Sequence, residues 1–161
     1  MNHAGRRAAS LFWPDWIKAM TPPKARILCI DNHWNGLVGR KSLLEKNGYE
    51  VLEATSGDVG LQLFLSQPVD AVVLDYQMPG MNGAAVATEM KRINSQVPIM
   101  LLSAFCPLQK TKLRAVDSFL SKSQPATTFL SALDEMLDAR PKTYFDGWLA
   151  DWKQRTQGAT P

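Results

Sequence analysis

A few polar side chains in this sequence could together handle a phosphoryl group. Asp31 and Asp75 carry carboxylates, which can hold a hard divalent ion such as Mg²⁺, and Asn32 adds a neutral oxygen. A carboxylate can also act as a nucleophile once its charge is balanced. Ser103 offers a hydroxyl, and Lys122 offers an ammonium group suited to a phosphoryl oxygen. This chemistry requires a fold that brings the five residues together.

Asp75 lies where an apolar run meets a turn. The run Ala71–Leu74 is short and rich in valine, which predicts a strand buried on both faces. The segment Met78–Gly83 contains one proline and two glycines, and it cannot continue that strand. The carboxylate of Asp75 is therefore expected at the end of a buried strand, where it needs a cation or donors beside it.

Further strand candidates also end at polar residues. Arg26–Ile30 is followed by Asp31 and Asn32, Val97–Leu102 by Ser103, and Ser118–Leu120 by Ser121 and Lys122; a strand at Tyr49–Ala54 makes the fifth.

Helices are predicted between and after these strands. The first extends to about Asn47, the second is capped by Ser56, the third is capped by Asn82, a short one covers Leu108–Ala115, and the last starts at Pro125. Their expected inward residues are Leu37, Leu43 and Leu44; Val59, Leu63 and Phe64; Val86, Met90 and Ile93; and Phe129, Leu130, Leu133, Met136 and Leu137. Such alternation predicts a parallel sheet with helices on both faces and a site at the carboxyl ends of the strands.

Composition narrows the class of protein. The 161 residues are 45% hydrophobic and 20% charged, which is typical of one globular domain. The net charge of +3 does not by itself indicate nucleic-acid binding, and no apolar run reaches membrane-spanning length. Cys29 and Cys106 do not form a disulfide framework, which fits a reducing cytoplasm. We therefore expect a cytoplasmic protein without nucleic-acid or membrane partners.

Both ends of the chain carry tryptophan-bearing segments. Residues 1–23 form an N-terminal extension, 24–139 the domain, and 140–161 a C-terminal extension with a short amphipathic helix at Phe145–Trp152. Each extension either packs on its own domain or docks on a partner, and the C-terminal helix could also pair with the N-terminal segment or a second subunit.

The segment Val72–Gly83, with Asp75 inside it, resembles the receiver domain of bacterial two-component response regulators. The resemblance covers about residues 24–139 and implies a flavodoxin-like, doubly wound sheet of strand order 2-1-3-4-5. It implies that Asp75 accepts phosphate from a sensor histidine kinase or phosphotransfer protein. Mg²⁺ would be held by Asp31, Asn32, Asp75 and the backbone carbonyl of Gln77. Lys122 and Ser103 would contact the phosphoryl group, and Ser103 and Phe119 would form the switch pair.

Three departures from the family pattern matter. Asn32 replaces the second acid, and losing a carboxylate removes roughly 1 to 4 kcal/mol of Coulomb attraction, so weakened Mg²⁺ binding is expected. Ser123 follows Lys122 where the family usually has proline, which predicts a different path for this loop. The stretch from Ser103 to Lys122 is short for the family, so the helix within it should be reduced.

Three functions compete on this pattern. The first is a stand-alone receiver, not an enzyme, that signals through its surface to an unidentified protein target or as a homodimer. The second is a degenerate receiver that binds proteins without being phosphorylated. The third is a phosphatase-like enzyme with an aspartyl nucleophile; the absence of a Gly-rich phosphate loop argues against it.

Overall fold

The computed structural model describes residues 23–104 and 114–139. These ranges contain five strands and four helices, in the order β1 (Arg26–Ile30), α1 (Trp34–Lys46), β2 (Glu50–Ala54), α2 (Gly57–Ser66), β3 (Ala71–Asp75), α3 (Gly83–Ile93), β4 (Ile99–Ser103), β5 (Ser118–Ser121) and α4 (Ala126–Ala139). Most of the helix predicted at Leu108–Ala115, Cys106 and both terminal extensions lie outside the described residues.

The five strands form one parallel sheet of order β2-β1-β3-β4-β5. The register pairs Ile30 of β1 with Leu74 of β3, and Leu74 in turn with Leu101 of β4. Strand β3 is central and buried at every residue, as its apolar sequence predicted. The predicted doubly wound, flavodoxin-like sheet is confirmed, including its strand order.

Two hydrophobic cores cover the two faces of the sheet. Because side chains of a strand alternate between faces, Ile27 and Cys29 point into one core and Leu28 and Ile30 into the other. The first core takes its helical residues from α1 and α4: Leu37, Leu44, Phe129, Leu133 and Met136. The second takes them from α2 and α3: Phe64, Val86, Ala87 and Met90. The sheet is thus held between two helical layers, as the alternation predicted.

Two predicted core residues are exposed. Val59 is 40% exposed because α2 turns a glycine face to the sheet; a Cβ on Gly60 would lie 2.4 Å from Cδ1 of Ile30. Ile93 is 45% exposed because α3 ends there and the next residue, Asn94, is already extended. In both cases the helical period was right, but close packing or the helix end decided which residues are buried.

Polar caps start two of the helices, as predicted. The hydroxyl of Ser56 accepts a hydrogen bond from the N–H of Val59 at 3.3 Å, and the side-chain oxygen of Asn82 accepts one from the N–H of Ala85 at 3.0 Å. Each cap satisfies a backbone donor that has no partner inside its helix. The cap at Asn82 also ends the turn that follows β3, which fixes the path of the chain beside Asp75.

Candidate functional site

The sheet brings the predicted polar residues to one edge. Asp75 is the last residue of β3 and Ser103 the last of β4, whereas Asp31 and Asn32 directly follow β1 and Lys122 directly follows β5. Strands β1, β3, β4 and β5 are consecutive neighbours and run parallel, so their carboxyl ends share one side of the sheet. This side is where doubly wound sheets bind ligands.

Lys122 joins the two acids. Its Nζ lies 3.0 Å from Oδ2 of Asp75 and 3.1 Å from Oδ2 of Asp31. The backbone N–H of Lys122 donates to the carbonyl of Ser103 at 2.8 Å, and the hydroxyls of Ser121 and Ser123 lie 2.8 Å apart. With Ser123 after it, the loop still delivers the ammonium group to a point between both carboxylates.

Asp31 is fully buried and closely surrounded by donors. Its Oδ1 accepts a hydrogen bond from the backbone N–H of His33 at 2.8 Å and lies 3.2 Å from Nδ1 of the same residue's ring. Its Oδ2 accepts from the guanidinium of Arg40 and from Lys122. Burial alone would raise the pKa of Asp31, but the His33 N–H, the Arg40 guanidinium and Lys122 outweigh it and lower that pKa to about 2.

Asp75 is buried but less fully bonded. Its Oδ1 accepts a long hydrogen bond of 3.3 Å from the N–H of Gln77. Its Oδ2 is in ionic contact with Lys122, yet among the described residues no donor makes a hydrogen bond to it. A buried carboxylate oxygen with unused lone pairs beside an ammonium group is chemically suited to attack an electrophile.

Gly83 lets the turn after β3 pack against the strand end. A Cβ at this position would lie 2.3 Å from the backbone oxygen of Asp75 and 2.9 Å from Cδ1 of Leu101, so only glycine fits without displacing the chain. The N–H of Gly83 donates to the carbonyl of Tyr76 at 3.0 Å, and Gly80 in the same turn has a φ of 81°. The turn thus fixes the backbone at Asp75, where the chain leaves β3.

The remaining predicted residues occupy the same region. Ser103 is buried and pairs with Ser121 in the sheet register, and Phe119 is half-buried in β5 against the second core. Gln77 is exposed, and the amide oxygen of Asn32 is buried without a hydrogen-bond donor among the described residues. The switch roles of Ser103 and Phe119, and the carbonyl of Gln77 as a ligand, stay predictions.

The sequence reasoning missed Arg40 and His33. Arg40 lies three residues after Leu37 and four before Leu44, so the helical period places it on the core-facing side of α1. A cation on a buried helix face requires a buried anion, and this was the available signal. His33 directly follows the Asp31–Asn32 pair, and nothing in its spacing distinguished it from a surface residue; its side chain is 68% exposed.

The donor set at this edge fits a hard cation. Asp31, His33 and Asp75 offer ligand atoms that all lie within 4.8 Å of one another. The buried oxygens of Asn32 and Asp75 without hydrogen-bond donors among the described residues would gain a partner from a bound cation. Carboxylate and amide oxygens are the ligands that Mg²⁺ prefers in proteins.

Comparison with known families identifies the family of this chain. Residues 27–143 match the model of the response regulator receiver domain. The chain belongs to the response regulator receiver domain family. Receiver domains are signalling modules of two-component systems, and they accept phosphoryl groups from histidine kinases or phosphotransfer proteins.

Similar curated proteins include regulators of very different size. The chain is 29% identical over 109 residues to the protein PilH of Pseudomonas aeruginosa, and the match covers 66% of this chain and 84% of PilH. It is 31% identical over 105 residues to the sensor histidine kinase GacS of Pseudomonas protegens, where the match covers 60% of this chain but only 12% of the relative. Its likeness to GacS is therefore limited to a small part of that protein.

One similar solved structure is a complex with a ligand. The response regulator TrrA of Thermotoga maritima, in complex with Mg²⁺-BeF, superposes with a TM-score of 0.67 at 30% identity; the match covers 70% of this chain and 98% of TrrA.

Within the parts of the chain that the structure describes, no helix is both long and apolar enough to span a bilayer.

Proposed function

We propose that this chain is a stand-alone receiver in a phosphorelay. In this proposal Asp75 accepts a phosphoryl group from a histidine kinase or phosphotransfer protein, and the chain signals through its own surface. PilH supports the stand-alone part, because the region similar to this chain makes up 84% of that protein. The extensions proposed at residues 1–23 and 140–161 would lie on either side of the receiver domain at 24–139.

The observation that carries the proposal is the contact of one ammonium group with two buried acids. Nζ of Lys122 lies 3.0 Å from Asp75 and 3.1 Å from Asp31, at the carboxyl edge of the sheet. A phosphoryl group on Asp75 would add roughly two negative charges at this point. Lys122 is placed to neutralise that charge, and Ser103 ends the neighbouring strand.

The proposed transfer moves one phosphoryl group between two side chains. Oδ2 of Asp75 attacks phosphorus, the new P–O bond forms an acyl phosphate, and the P–N bond of the donor phosphohistidine breaks. The electron pair of that bond stays on the imidazole nitrogen, which then takes a proton. Lys122 holds the accumulating charge on the phosphoryl oxygens, and the buried edge limits access of water to the product.

Mg²⁺ would be held by Asp31, Asn32, Asp75 and the carbonyl of Gln77. When bound, such an ion supplies charge neutralisation of phosphoryl oxygens. Because Asn32 is neutral, the affinity for Mg²⁺ should be weaker than with an acid at this position. The substitution N32D is expected to strengthen Mg²⁺ binding by about tenfold or more, measured by titration calorimetry. An unchanged dissociation constant in N32D would contradict this.

Output would follow from a shift between two states of the receiver surface. Contacts of the phosphoryl group with Ser103, coupled to the rotamer of Phe119, would bias that equilibrium. An unidentified downstream protein or a homodimer would bind the favoured state.

Intact mass spectrometry tests the phosphorylation. The protein is incubated with Mg²⁺ and acetyl phosphate as a small phosphodonor, with D75N as the test variant and D58N as the matched control, because Asp58 is an exposed acid in the first turn of α2. We expect the mass of one phosphoryl group on the wild type and on D58N but none on D75N. Equal incorporation in D75N would assign the phosphate elsewhere.

The second candidate is a degenerate receiver that binds proteins without phosphorylation. It is favoured by Asn32 in the acidic pair and by the donors that already surround Asp31. No mass shift with acetyl phosphate or with a phosphorylated histidine kinase, in a protein that is folded by circular dichroism, would support it over phosphotransfer.

A further inference from the structure

Arg40 is a partly buried cation that no part of the proposed phosphotransfer uses. Its side chain is only 14% exposed, and its guanidinium pairs with Oδ2 of Asp31 across the site edge. Gly36, one helical turn earlier, makes this approach possible. A Cβ at Gly36 would lie 2.9 Å from Oδ2 of Asp31 and 3.2 Å from a guanidinium nitrogen of Arg40.

The bonds of Asp31 leave little room for a metal ion. A carboxylate offers about four lone-pair positions. The backbone N–H of His33 takes one of them on Oδ1, Nδ1 of the His33 ring lies 3.2 Å from the same oxygen, and Arg40 and Lys122 take two on Oδ2. A cation that binds Oδ2 of Asp31 must therefore displace Arg40 or Lys122. The side chain of Arg40 is 14% exposed and that of Lys122 is 27% exposed, so Arg40 is the harder of the two to displace.

The charges in the pocket already balance. Asp31 and Asp75 contribute two negative charges, Arg40 and Lys122 contribute two positive charges, and Asn32 contributes none. Arginine stays protonated at any working pH, so its charge is permanent. A divalent ion would enter a pocket without net negative charge and would be repelled by a guanidinium that shares its ligand.

We infer that Arg40 is a built-in counter-ion of Asp31 that takes over part of the charge balance for which a receiver would use a divalent metal. The inference rests on the proposed phosphoacceptor site and concerns its cation side. It makes Arg40 and Gly36 positioning residues: the arginine holds the carboxylate of Asp31 in place without metal, and it keeps the affinity for Mg²⁺ low. The neutral Asn32 and the buried Arg40 then act in the same direction.

Titration calorimetry with MgCl₂ on the unphosphorylated full chain tests this. The test variant is R40M, and the matched control is R92M, because Arg92 on α3 pairs with Glu89 at 2.7 Å and its side chain is 73% exposed. Both variants lose one positive charge, but only R40M changes the pocket. We expect R40M to bind Mg²⁺ at least about tenfold more tightly than the wild type, and R92M to remain within about twofold.

Thermal unfolding provides a second, independent readout. In EDTA, R40M should melt at a lower temperature than the wild type because Asp31 has lost a partner, and millimolar Mg²⁺ should restore much of that loss. The melting temperature of the wild type should respond less to Mg²⁺. R40K, which keeps the charge but not the planar fork, should give a Mg²⁺ affinity between those of wild type and R40M.

Two outcomes would overturn the inference. One is a Mg²⁺ dissociation constant of R40K and R40M within about twofold of the wild type. The other is an equal gain in affinity for R40M and R92M, which would reduce the effect to overall charge. If R40M does not fold, the R40K titration decides alone. Neither readout involves phosphate, so a failure here leaves the D75N result untouched, and the reverse also holds.

Discussion

The buried carboxylates at the site edge are stabilised by contacts with positively charged side chains. Asp31 is fully buried and ionised, with a pKa lowered to about 2 despite a burial that would raise it. His33, Arg40 and Lys122 together supply the donors that outweigh desolvation. Asp75 is in ionic contact with one of these residues, Lys122. The surroundings of the two acids therefore depend on residues from the loop after β1, from α1 and from the loop after β5.

The hydroxyl of Tyr49 should make the stability of the folded protein depend on pH. Tyr49 is buried in the first core, its hydroxyl donates to Asp134 of α4, and burial followed by this acid raises its pKa above the ordinary 10.0. A tyrosine that stays neutral in the folded state while the unfolded chain ionises contributes stability in full below pH 10, and this contribution is lost as the pH rises above it.

The substitution Y49F removes this hydroxyl. We expect it to lower the free energy of unfolding by about 1 to 2 kcal/mol at pH 7 and to narrow the gap from wild type above pH 10. Urea unfolding of both proteins at pH 7, 9 and 10.5 measures the gap. A gap that stays constant across this range would show that the tyrosine pKa is not raised.

The convergence of the candidate residues at one edge was predictable where a strand ended in a polar side chain. Asp31, Asp75, Ser103 and Lys122 all follow short apolar runs, and a parallel sheet must gather such ends on one side. Arg40 was not predicted because it lies in the middle of a helix, where arginine is usually a solvated surface residue. Its partner lies nine positions earlier, and only the closed fold brings the two together.

Among the elements, α1 shows how closely packed helices use glycine. Gly36 and Gly39 both lie inside this helix, but a Cβ at Gly36 would crowd Asp31 and Arg40, whereas one at Gly39 would have no atom within 4 Å. A comparison of the two positions therefore distinguishes a steric requirement for glycine from the effect of glycine on helix stability.

Alanine at these two positions should have opposite effects. G39A is expected to raise the free energy of unfolding by about 0.5 to 1 kcal/mol, because alanine loses less backbone entropy in a helix. G36A is expected to lower it by roughly 1 to 3 kcal/mol, because the new Cβ displaces a buried ion pair. Chemical denaturation of both variants checks the signs. Stabilisation by G36A would mean that Arg40 does not need the space.

The strands and helices of the described residues were predictable from the sequence, with boundaries correct to within about two residues. The burial of two helical residues was not predictable. β4 starts at Ile99 rather than Val97, and β2 at Glu50 rather than Tyr49. Val59 and Ile93 matched the helical period and are nevertheless exposed. Periodicity gives the direction of a side chain around a helix, but it does not give how closely the helix approaches the sheet or where the helix ends.

For the molecule as a whole, two cores separated by one sheet predict cooperative unfolding. Cys29 is fully buried in the first core, on strand β1, and burial above all raises its pKa to about 12. Its thiol is neutral and out of reach of reagents in the folded state, so it reacts only when the sheet opens.

Thiol labelling can measure this opening. In a C106S background, where Cys29 is the remaining cysteine, native labelling by a disulfide reagent should be slower than in urea-unfolded protein by roughly a thousandfold or more. The opening free energy from labelling should equal that from denaturant unfolding. Labelling within about tenfold of the unfolded rate would show that β1 opens locally, without the rest of the sheet.

Because the ammonium group of Lys122 contacts both acids, phosphorylation of one acid would change the surroundings of the other. If Asp75 becomes phosphorylated, the phosphoryl oxygens would compete with Asp31 for Lys122, since its Nζ lies about equally far from the two carboxylates at present. As Lys122 moves toward the phosphoryl group, Asp31 would depend more strongly on its ion pair with Arg40. The stronger pair would draw α1 closer to the end of β1. Modification at the middle strand would thereby be read out along the first helix, on the opposite flank from the loop that carries the lysine.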